Sequence, residues 1–295
     1  MTLRAETILR HPALQAAVRQ QAATLLAIHE ANPRIASVFA TQQRWLMAHI
    51  ALALYFSRLS EDAAGGLIAS AFLDAVEEHA VASRNTADAF LKEMLKYGYV
   101  QNAPSQTDKR RRPLQPAPLS LQTVSAWLTV HLATLDALDG RGRAERFLGQ
   151  PQSLAGIQPR VSAGLIGSLA IRDPAPTFSL FTWLNEGGIV MDWLIAGLEP
   201  ALPGQTHIAS AVSSFNDLME RLNLSRTHLQ RKLRLAEAIG SLGWHGERGR
   251  SPMWVSATFL HEYHCVQAAK LAIIDAAFEA VFEPQAAMAP VPAHA

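Results

Sequence analysis

Apolar residues recur every three to four positions along most of the chain, which is the spacing of helices with one buried face. The pattern is most regular over residues 73–115, where it predicts a short helix, a turn, a longer helix and a basic hairpin. Ser83 precedes the longer helix and can cap it, because a serine hydroxyl accepts hydrogen bonds from the free backbone N–H groups of a first turn. Gly98 is placed to end that helix. The sequence therefore predicts a helix-turn-helix unit followed by a hairpin.

The predicted inward face of this unit is apolar at helical spacing. Its members are Leu73, Val76 and Ala80 on the first helix and Ala87, Phe90, Leu91, Met94 and Leu95 on the second. A strand is expected at 99–101, a hairpin tip at 108–112 and a returning strand at 113–115. Polar and basic side chains occupy the opposite face of the second helix.

A second stretch, 215–256, has the same layout. Ser225 and Arg226 follow Ser83 and Arg84 by 142 positions and are expected to begin a matching helix. The inward positions predicted for this copy are Phe215, Leu218, Leu222, Leu229, Leu233, Ala236 and Ile239. Identity between the copies is slight, so the repeat is one of pattern.

The second copy is expected to finish as the first does. Gly240 or Gly243 can end its helix, and 244–255 can form the hairpin, with its tip at 247–250. Strands are expected only in the two hairpins, and the longer periodic segments elsewhere are expected to be helices. The predicted fold class is mainly α, with short β-hairpins and long packing helices.

The first unit resembles the MarR-type winged-helix regulators of bacteria. The residues that carry the resemblance are Ser83 and Arg84 at the helix start, Gly98, Tyr99 and Val100 leading into the wing, and Asp108 and Arg110, which match the family's Asp-x-Arg at the wing tip. The resemblance extends over 35–138 and, in pattern, over 178–283. The second tip departs from it, since 247–250 contains no Asp.

The resemblance implies tandem winged helix-turn-helix domains. Members of the family normally work as homodimers, so two units in one chain imply a fused pseudo-dimer, either monomeric or paired again. The predicted division is an N-terminal winged-helix domain at 1–140, a linker with a short helix at 141–176, a C-terminal winged-helix domain at 177–283 and a disordered tail at 284–295. The other helices are expected at 12–30, 35–59, 161–171, 178–198 and 258–282, with one more from a Ser120 cap to residue 138.

The distribution of charge agrees with two nucleic-acid-binding surfaces. The chain carries a net charge of only +1, with 26 Lys and Arg against 25 Asp and Glu. Residues 84–112 nevertheless hold seven cations against three carboxylates, and residues 221–250 hold seven against two. Concentration of positive charge on both predicted units is typical of proteins that bind DNA phosphates.

The predicted function is a sequence-specific, double-stranded DNA-binding transcriptional regulator with two recognition helices. Residues in the first turn of each helix would read base edges in the major groove, and later cations would meet phosphates. The candidate DNA-binding residues are Ser83, Arg84, Asn85, Thr86, Lys92, Lys96, Lys109, Arg110, Arg111, Arg112, Ser225, Arg226, Thr227, His228, Gln230, Arg231, Arg234, Arg248 and Arg250. The alternatives are solvated basic faces without a nucleic-acid role, and a winged-helix scaffold for protein partners.

Other chemistry receives less support from the sequence. His261, His264 and Cys265 have the spacing of metal ligands on one helix, but a half-buried helix explains them equally. Four tryptophans, Trp45, Trp127, Trp183 and Trp193, can line the pocket of a small-molecule effector or simply fill the core. No catalytic constellation is present, so neither an enzyme nor a cofactor is predicted.

The sequence predicts a cytoplasmic protein without a membrane segment. One cysteine in 295 residues fits a reducing compartment. The longest apolar run, 46–56, is interrupted by His49 and is shorter than the ~20 residues that cross a bilayer.

Overall fold

The computed structural model describes residues 2–31, 41–61, 66–103, 113–182, 187–212 and 226–283, apart from the side chains of Arg226, His228 and Lys232. The helices are α1 (Ala5–Leu9), α2 (Leu14–Ala31), α3 (Gln42–Glu61), α4 (Ala69–Glu78), α5 (Arg84–Lys96), α6 (Pro118–Asp139), α7 (Arg143–Gly149), α8 (Leu154–Gly167), α9 (Leu169–Arg172), α10 (Pro176–Thr182), α11 (Gly187–Ala196), α12 (Arg226–Ala238) and α13 (Ala257–Phe282). A 3₁₀ turn occupies Pro151–Ser153, and the strands are β1 (Val100–Asn102), β2 (Leu114–Pro116), β3 (His207–Ala209), β4 (Leu242–Trp244) and β5 (Met253–Ser256). The protein is therefore mainly helical, with two small antiparallel sheets, as predicted.

The first helix-turn-helix forms as the sequence predicts. The Ser83 hydroxyl caps α5 by accepting from the Thr86 N–H, and the apolar face of α5 is buried through Ala87, Phe90, Leu91 and Met94. Two predicted inward positions are wrong. Leu95 is 36% exposed, and Ala80 is exposed because it lies in the turn, at φ +50°, after α4 has ended.

The end of α12 matches the end of α5. Each helix is followed by a glycine in the left-handed conformation, at φ +72° for Gly98 and +71° for Gly240. The N–H of the residue after each glycine donates back to a carbonyl in the last turn, at 2.9 Å in both cases. The predicted inward residues Leu229, Leu233 and Ala236 are buried, whereas Ile239 is 50% exposed beyond the helix end. The predicted first helix and cap of this copy, 215–225, lie outside the described residues.

The paired strands of both predicted hairpins are present, and each pair has a further extended neighbour. Val100 pairs with Pro116 in the first hairpin and Leu242 with Val255 in the second. In the first, Leu67 forms a bridge to β2, and in the second, β3 pairs with β5 to give the order β3-β5-β4. Restricting strands to the hairpins was therefore wrong.

The contacts between helices fall into matching pairs. Helix α1 packs on α13, and α7 packs on α6. Helix α2 packs on α6, and α8 packs on α13. Helix α3 packs on α8, and α11 packs on α2. Helices α6 and α13 also contact each other. Here the first half denotes the residues before Gly140 and the second half those after it. Four of these six pairs join the two halves, whereas α2 with α6 and α8 with α13 lie within one half. One apolar cluster runs from Ile8 to Phe278 through both halves.

One arginine joins the two halves by binding a carboxylate from each of the helices α6 and α13. Asp136 on α6 accepts from the N–H groups that begin α7, and Asp275 on α13 accepts from the Leu3 N–H before α1. The Arg143 side chain is fully buried and pairs with both, at 3.2 Å to Asp136 and 2.7 Å to Asp275. It also binds Asp139 at 2.6 Å.

Several predicted boundaries are corrected. The segment 141–176 holds α7, α8 and α9 rather than one short helix, and α8 and α9 contribute core residues. Helix α6 begins at Pro118, and the Ser120 hydroxyl donates to the Tyr99 carbonyl instead of capping it. The predicted helix 178–198 corresponds to α10 and α11, with 183–186 outside the described residues, as is the tail from 284. The domain division stays a prediction.

Within the described part of the chain, no helix combines the length and apolarity needed to span a bilayer.

Candidate nucleic-acid interface

The predicted reading residues of α5 lie at its exposed N-terminus. Ser83 caps the helix, and Arg84, Asn85 and Thr86 follow it at the surface. The Arg84 guanidinium, however, binds Asp74 and lies 3.8 Å from Glu77, both on the preceding helix α4. These carboxylates offset the positive charge of Arg84, which was predicted to contact DNA.

The later cations of α5 also have local partners. Lys92 pairs with Asp88 at 2.6 Å, one helical turn earlier. Lys96 lies with its ammonium 5.8 Å from the centre of the Tyr97 ring. Glu93 adds a negative charge to the same helix and pairs with Arg44 of α3 at 2.8 Å. The face of α5 is therefore close to electrically balanced.

The face of α12 has a different charge. Thr227, Arg231 and Arg234 are exposed, Gln230 is half-buried, and with Leu235 they line a shallow groove. Neither arginine forms an ion pair within the described part of the chain. Ser225 and the side chains of Arg226 and His228 lie outside the described atoms. The described face thus presents two cations and two uncharged hydrogen-bonding side chains.

The two predicted wing tips are described to different extents. The tip that carries Lys109, Arg110, Arg111 and Arg112 lies outside the described residues. In the second hairpin, the Arg248 guanidinium binds Glu237 of α12 at 2.9 Å, and the Trp244 indole N–H donates to the same carboxylate at 2.9 Å. Arg250 is 77% exposed and pairs with Glu247 at 3.2 Å.

Sequence reasoning missed the role of Glu237. It reads as one surface carboxylate at the end of a basic helix, yet it fixes the hairpin against α12 by binding two hairpin side chains. The only sequence signal is an acidic residue near the helix end followed by an arginine and a tryptophan in the hairpin. Arg248 is consequently a structural link between α12 and the hairpin, and Arg250 is the more exposed wing cation.

The soft residues of α13 do not assemble into a metal centre. The Cys265 sulfur lies 3.5 Å from His261 Nε2, while burial lowers the pKa of His264 to about 4. No group of three or more metal-binding side chains occurs in the described ranges.

No protein-family model, curated protein or solved structure matches this chain.

Proposed function

We propose that the chain is a transcriptional regulator that binds double-stranded DNA through two tandem winged-helix units fused as a pseudo-dimer. The supporting backbone features are the helix-turn-helix at α4 and α5, the glycine that ends each second helix, and the hairpin that follows each glycine. The exchange of helix partners between halves agrees with two units related as in a homodimer. In this proposal the chain is a cytoplasmic member of the MarR-like group.

The observation that carries the proposal is the exposed face of α12. A recognition helix must present hydrogen-bonding side chains and uncompensated cations to the groove. Thr227 and Gln230 supply the first, and Arg231 and Arg234, which have no ion-pair partner among the described residues, supply the second. The helix is held by Leu229 and Leu233 in the core and by the link from Glu237 to the hairpin. A rigid support of this kind favours docking without rearrangement.

In the proposed complex, the N-terminus of α12 enters the major groove. Thr227, in the first turn, lies where base edges are reached, and Arg231 and Arg234, further along, bind phosphates on either side. Arg250 at the hairpin tip contacts the flanking backbone. The α5 face docks similarly, but Arg84 must first leave Asp74 and Glu77. The second unit therefore supplies most of the affinity.

The proposal is tested by fluorescence anisotropy with duplexes selected from a random pool by the full chain. We expect the selected duplex to bind at least about tenfold more tightly than a shuffled duplex of the same composition. Charge reversal at Arg231 and Arg234 should remove both interactions, because phosphate contacts underlie specific and non-specific binding alike. If selection enriches no sequence and the reversed variant binds duplex as the wild type does, the proposal is wrong.

One observation favours a protein-interaction scaffold as the second candidate. Large apolar side chains are exposed near the C-terminal ends of both second helices. They are Leu95 within α5 and Tyr97 just after it, and Leu235 within α12 and Ile239 just after it. Exposed apolar patches are typical of protein docking sites. The scaffold is favoured if substitution of Leu235 and Ile239 by serine abolishes capture of a protein partner and leaves DNA affinity unchanged.

A further inference from the structure

The outward face of each second helix contains a stripe of four positions, spaced so that the last three follow the first by three, four and seven residues. Residues at this spacing share one side of a helix. On α12 the four residues of the stripe, with Leu235, line the shallow groove. The matching stripe of α5 lies 142 positions earlier, and both stripes are exposed, half-buried, exposed and exposed in that order. The matched residues are Asn85 and Thr227, Asp88 and Gln230, Ala89 and Arg231, and Lys92 and Arg234.

Two identical recognition helices would impose a symmetry on the DNA that they bind. In a homodimer, the two-fold axis places the same side chains over both half-sites, so the preferred operator is a palindrome. The stripes of α5 and α12 occupy matching places on their helices, yet they differ in residue type at all four positions. One half-site sequence therefore cannot suit both helices equally.

The stripe of α5 favours the amino groups of bases over phosphates. The Asp88 carboxylate can only accept hydrogen bonds, and in the major groove it suits the amino group of cytosine. It also binds Lys92, the one cation of this stripe, at 2.6 Å, so the stripe has no net charge. The Asn85 amide, in the first turn, suits adenine. The half-site under α5 is consequently selected by its bases and adds little electrostatic affinity.

The stripe of α12 has the opposite balance. Arg231 and Arg234 are exposed and give it two positive charges, which suit phosphates on either side of the groove. Gln230 occupies the place of Asp88, and its amide donates as well as accepts, which suits adenine rather than cytosine. The half-site under α12 therefore supplies electrostatic affinity and has a different preferred base at the matched position.

We propose that the DNA partner is a non-palindromic operator bound in one orientation, with α12 on a half-site whose adenine meets Gln230 and α5 on a half-site whose cytosine meets Asp88. This inference rests on the proposed DNA binding and adds the order and chemistry of the two half-sites. Turning the chain around on the duplex would place each helix over the wrong half-site. The bound chain thus marks a direction along the DNA, which a symmetric homodimer cannot do.

Three duplexes with the same spacing between half-sites test the inference. One is the site that the full chain selects from a random pool, and the others are palindromes made by doubling its α12 half-site or its α5 half-site. We expect the selected site to bind at least about fivefold more tightly than either palindrome, because one mismatched base pair weakens binding by roughly that factor or more. Fluorescence anisotropy measures the three affinities.

Giving α5 the stripe of α12 should reverse this order. The exchange variant carries Asn85→Thr, Asp88→Gln, Ala89→Arg and Lys92→Arg. It should bind the doubled α12 half-site at least about fivefold more tightly than the selected site, since two like helices then meet like half-sites.

The reciprocal exchange on α12 guards against misfolding of the first variant. It carries Thr227→Asn, Gln230→Asp, Arg231→Ala and Arg234→Lys, and it should prefer the doubled α5 half-site. Lys96→Ala is the matched control, because Ala238 is the corresponding residue of α12 and both lie outside the stripes. This control should weaken binding to all three duplexes alike and keep the selected site first.

The outcomes separate this inference from the proposed function. If selection enriches no sequence, the proposed DNA binding is wrong and the inference is wrong with it. If a sequence is enriched, DNA binding stands, and the inference alone is overturned by any of three results. They are a palindromic selected site, a doubled half-site that the wild type binds as tightly as the selected site, and exchange variants that keep the wild-type order.

Discussion

Helices α5 and α12 have similar backbone conformations, including the left-handed glycine that follows each, but their exposed faces carry different charges. At matching positions, α5 carries Asp88, Ala89, Lys92 and Glu93, where α12 carries Gln230, Arg231, Arg234 and Leu235. The carboxylate that pairs with Lys92 in the first helix is thus an uncharged amide beside Arg234 in the second. The apolar spacing and the terminal glycine are common to both helices, but they leave the outer face undetermined. The two helices can therefore have the same fold and different functions at this surface.

The neighbouring helix α4 further neutralises the face of α5, whereas the segment before α12 lies outside the described residues. Asp74 and Glu77 of α4 bind Arg84, the first cation of α5. Exposed pairs of this kind contribute little to stability. Together with the Lys92 pair and Glu93, however, they leave little positive potential for a polyanion. The proposed regulator is consequently asymmetric, with α12 as its main DNA contact and α5 as a weaker one.

The largest effect is expected where the halves share one arginine. Arg143→Met leaves Asp136, Asp139 and Asp275 without their common cation, and Asp275 is fully buried. We expect a loss of about 3–5 kcal/mol in the free energy of unfolding, because a buried charge loses its partner. Urea unfolding of the wild type and the variant measures this loss. Arg146→Met, which removes a 37% exposed side chain, should cost about 1 kcal/mol or less, and equal losses for the two variants would contradict the proposed link.

Stability should depend on pH through buried groups in both halves. Burial lowers the pKa of His49 to about 3 and that of His131 well below its usual value. Both stay neutral in the fold, so their contribution is present above about pH 6.5 and is lost as the pH falls toward 3. Burial raises the pKa of Asp192 to about 7, which acts in the opposite direction between about pH 7 and 4. The lowered pKa of Lys270 adds stability only as the pH rises above about 8.

His49→Gln isolates the acid effect. Between pH 6 and 4, the free energy of unfolding should fall less steeply in this variant than in the wild type. The difference in slope should be about 1.4 kcal/mol per pH unit, which is the contribution of one proton. Denaturant titrations at several pH values measure it. His79→Gln, at an exposed position of the first half, should leave the acid decrease unchanged, and an equal response of the two variants would contradict the assignment.

Parts of this comparison could be predicted from sequence. The Ser83 cap, the positive φ of Gly98 and Gly240 and both hairpins follow from local chemistry, and all are confirmed. Strand β3 could not be predicted, because three residues without alternation become a strand only by pairing with β5. A cavity of about 410 Å³ is lined by Trp45, Trp127 and Lys270. The sequence offered such a pocket only as an alternative to core packing, because these residues come from distant segments. The ion pairs of α5 with α3 and α4 likewise depend on how the helices pack.

The two DNA surfaces can be separated by matched removals of charge. Arg231→Gln with Arg234→Gln should weaken binding of a selected duplex by about ten- to a hundredfold, because two phosphate contacts are lost. Lys92→Gln should weaken it by less than about threefold, because Lys92 is already paired with Asp88. Anisotropy titrations measure both affinities. A larger loss for Lys92→Gln would reverse the roles assigned to the two helices.

Exchanging one residue between the helices should give the smallest effects. Gln230→Asp places a carboxylate one turn before Arg234 and should weaken duplex binding by about threefold to tenfold. Asp88→Gln releases Lys92 and should tighten binding by no more than about threefold. The same titrations measure these changes. Tighter binding by Gln230→Asp would show that the α12 face does not meet phosphates.

The most direct measurement is the dependence of duplex affinity on salt. The logarithm of the binding constant should fall linearly with the logarithm of salt concentration for the wild type, since each neutralised phosphate releases counterions. The slope should become shallower by about two for the double variant at Arg231 and Arg234, and by less than about one for Lys92→Gln. A wild-type slope near zero, or the same slope in the double variant, would contradict DNA binding through α12.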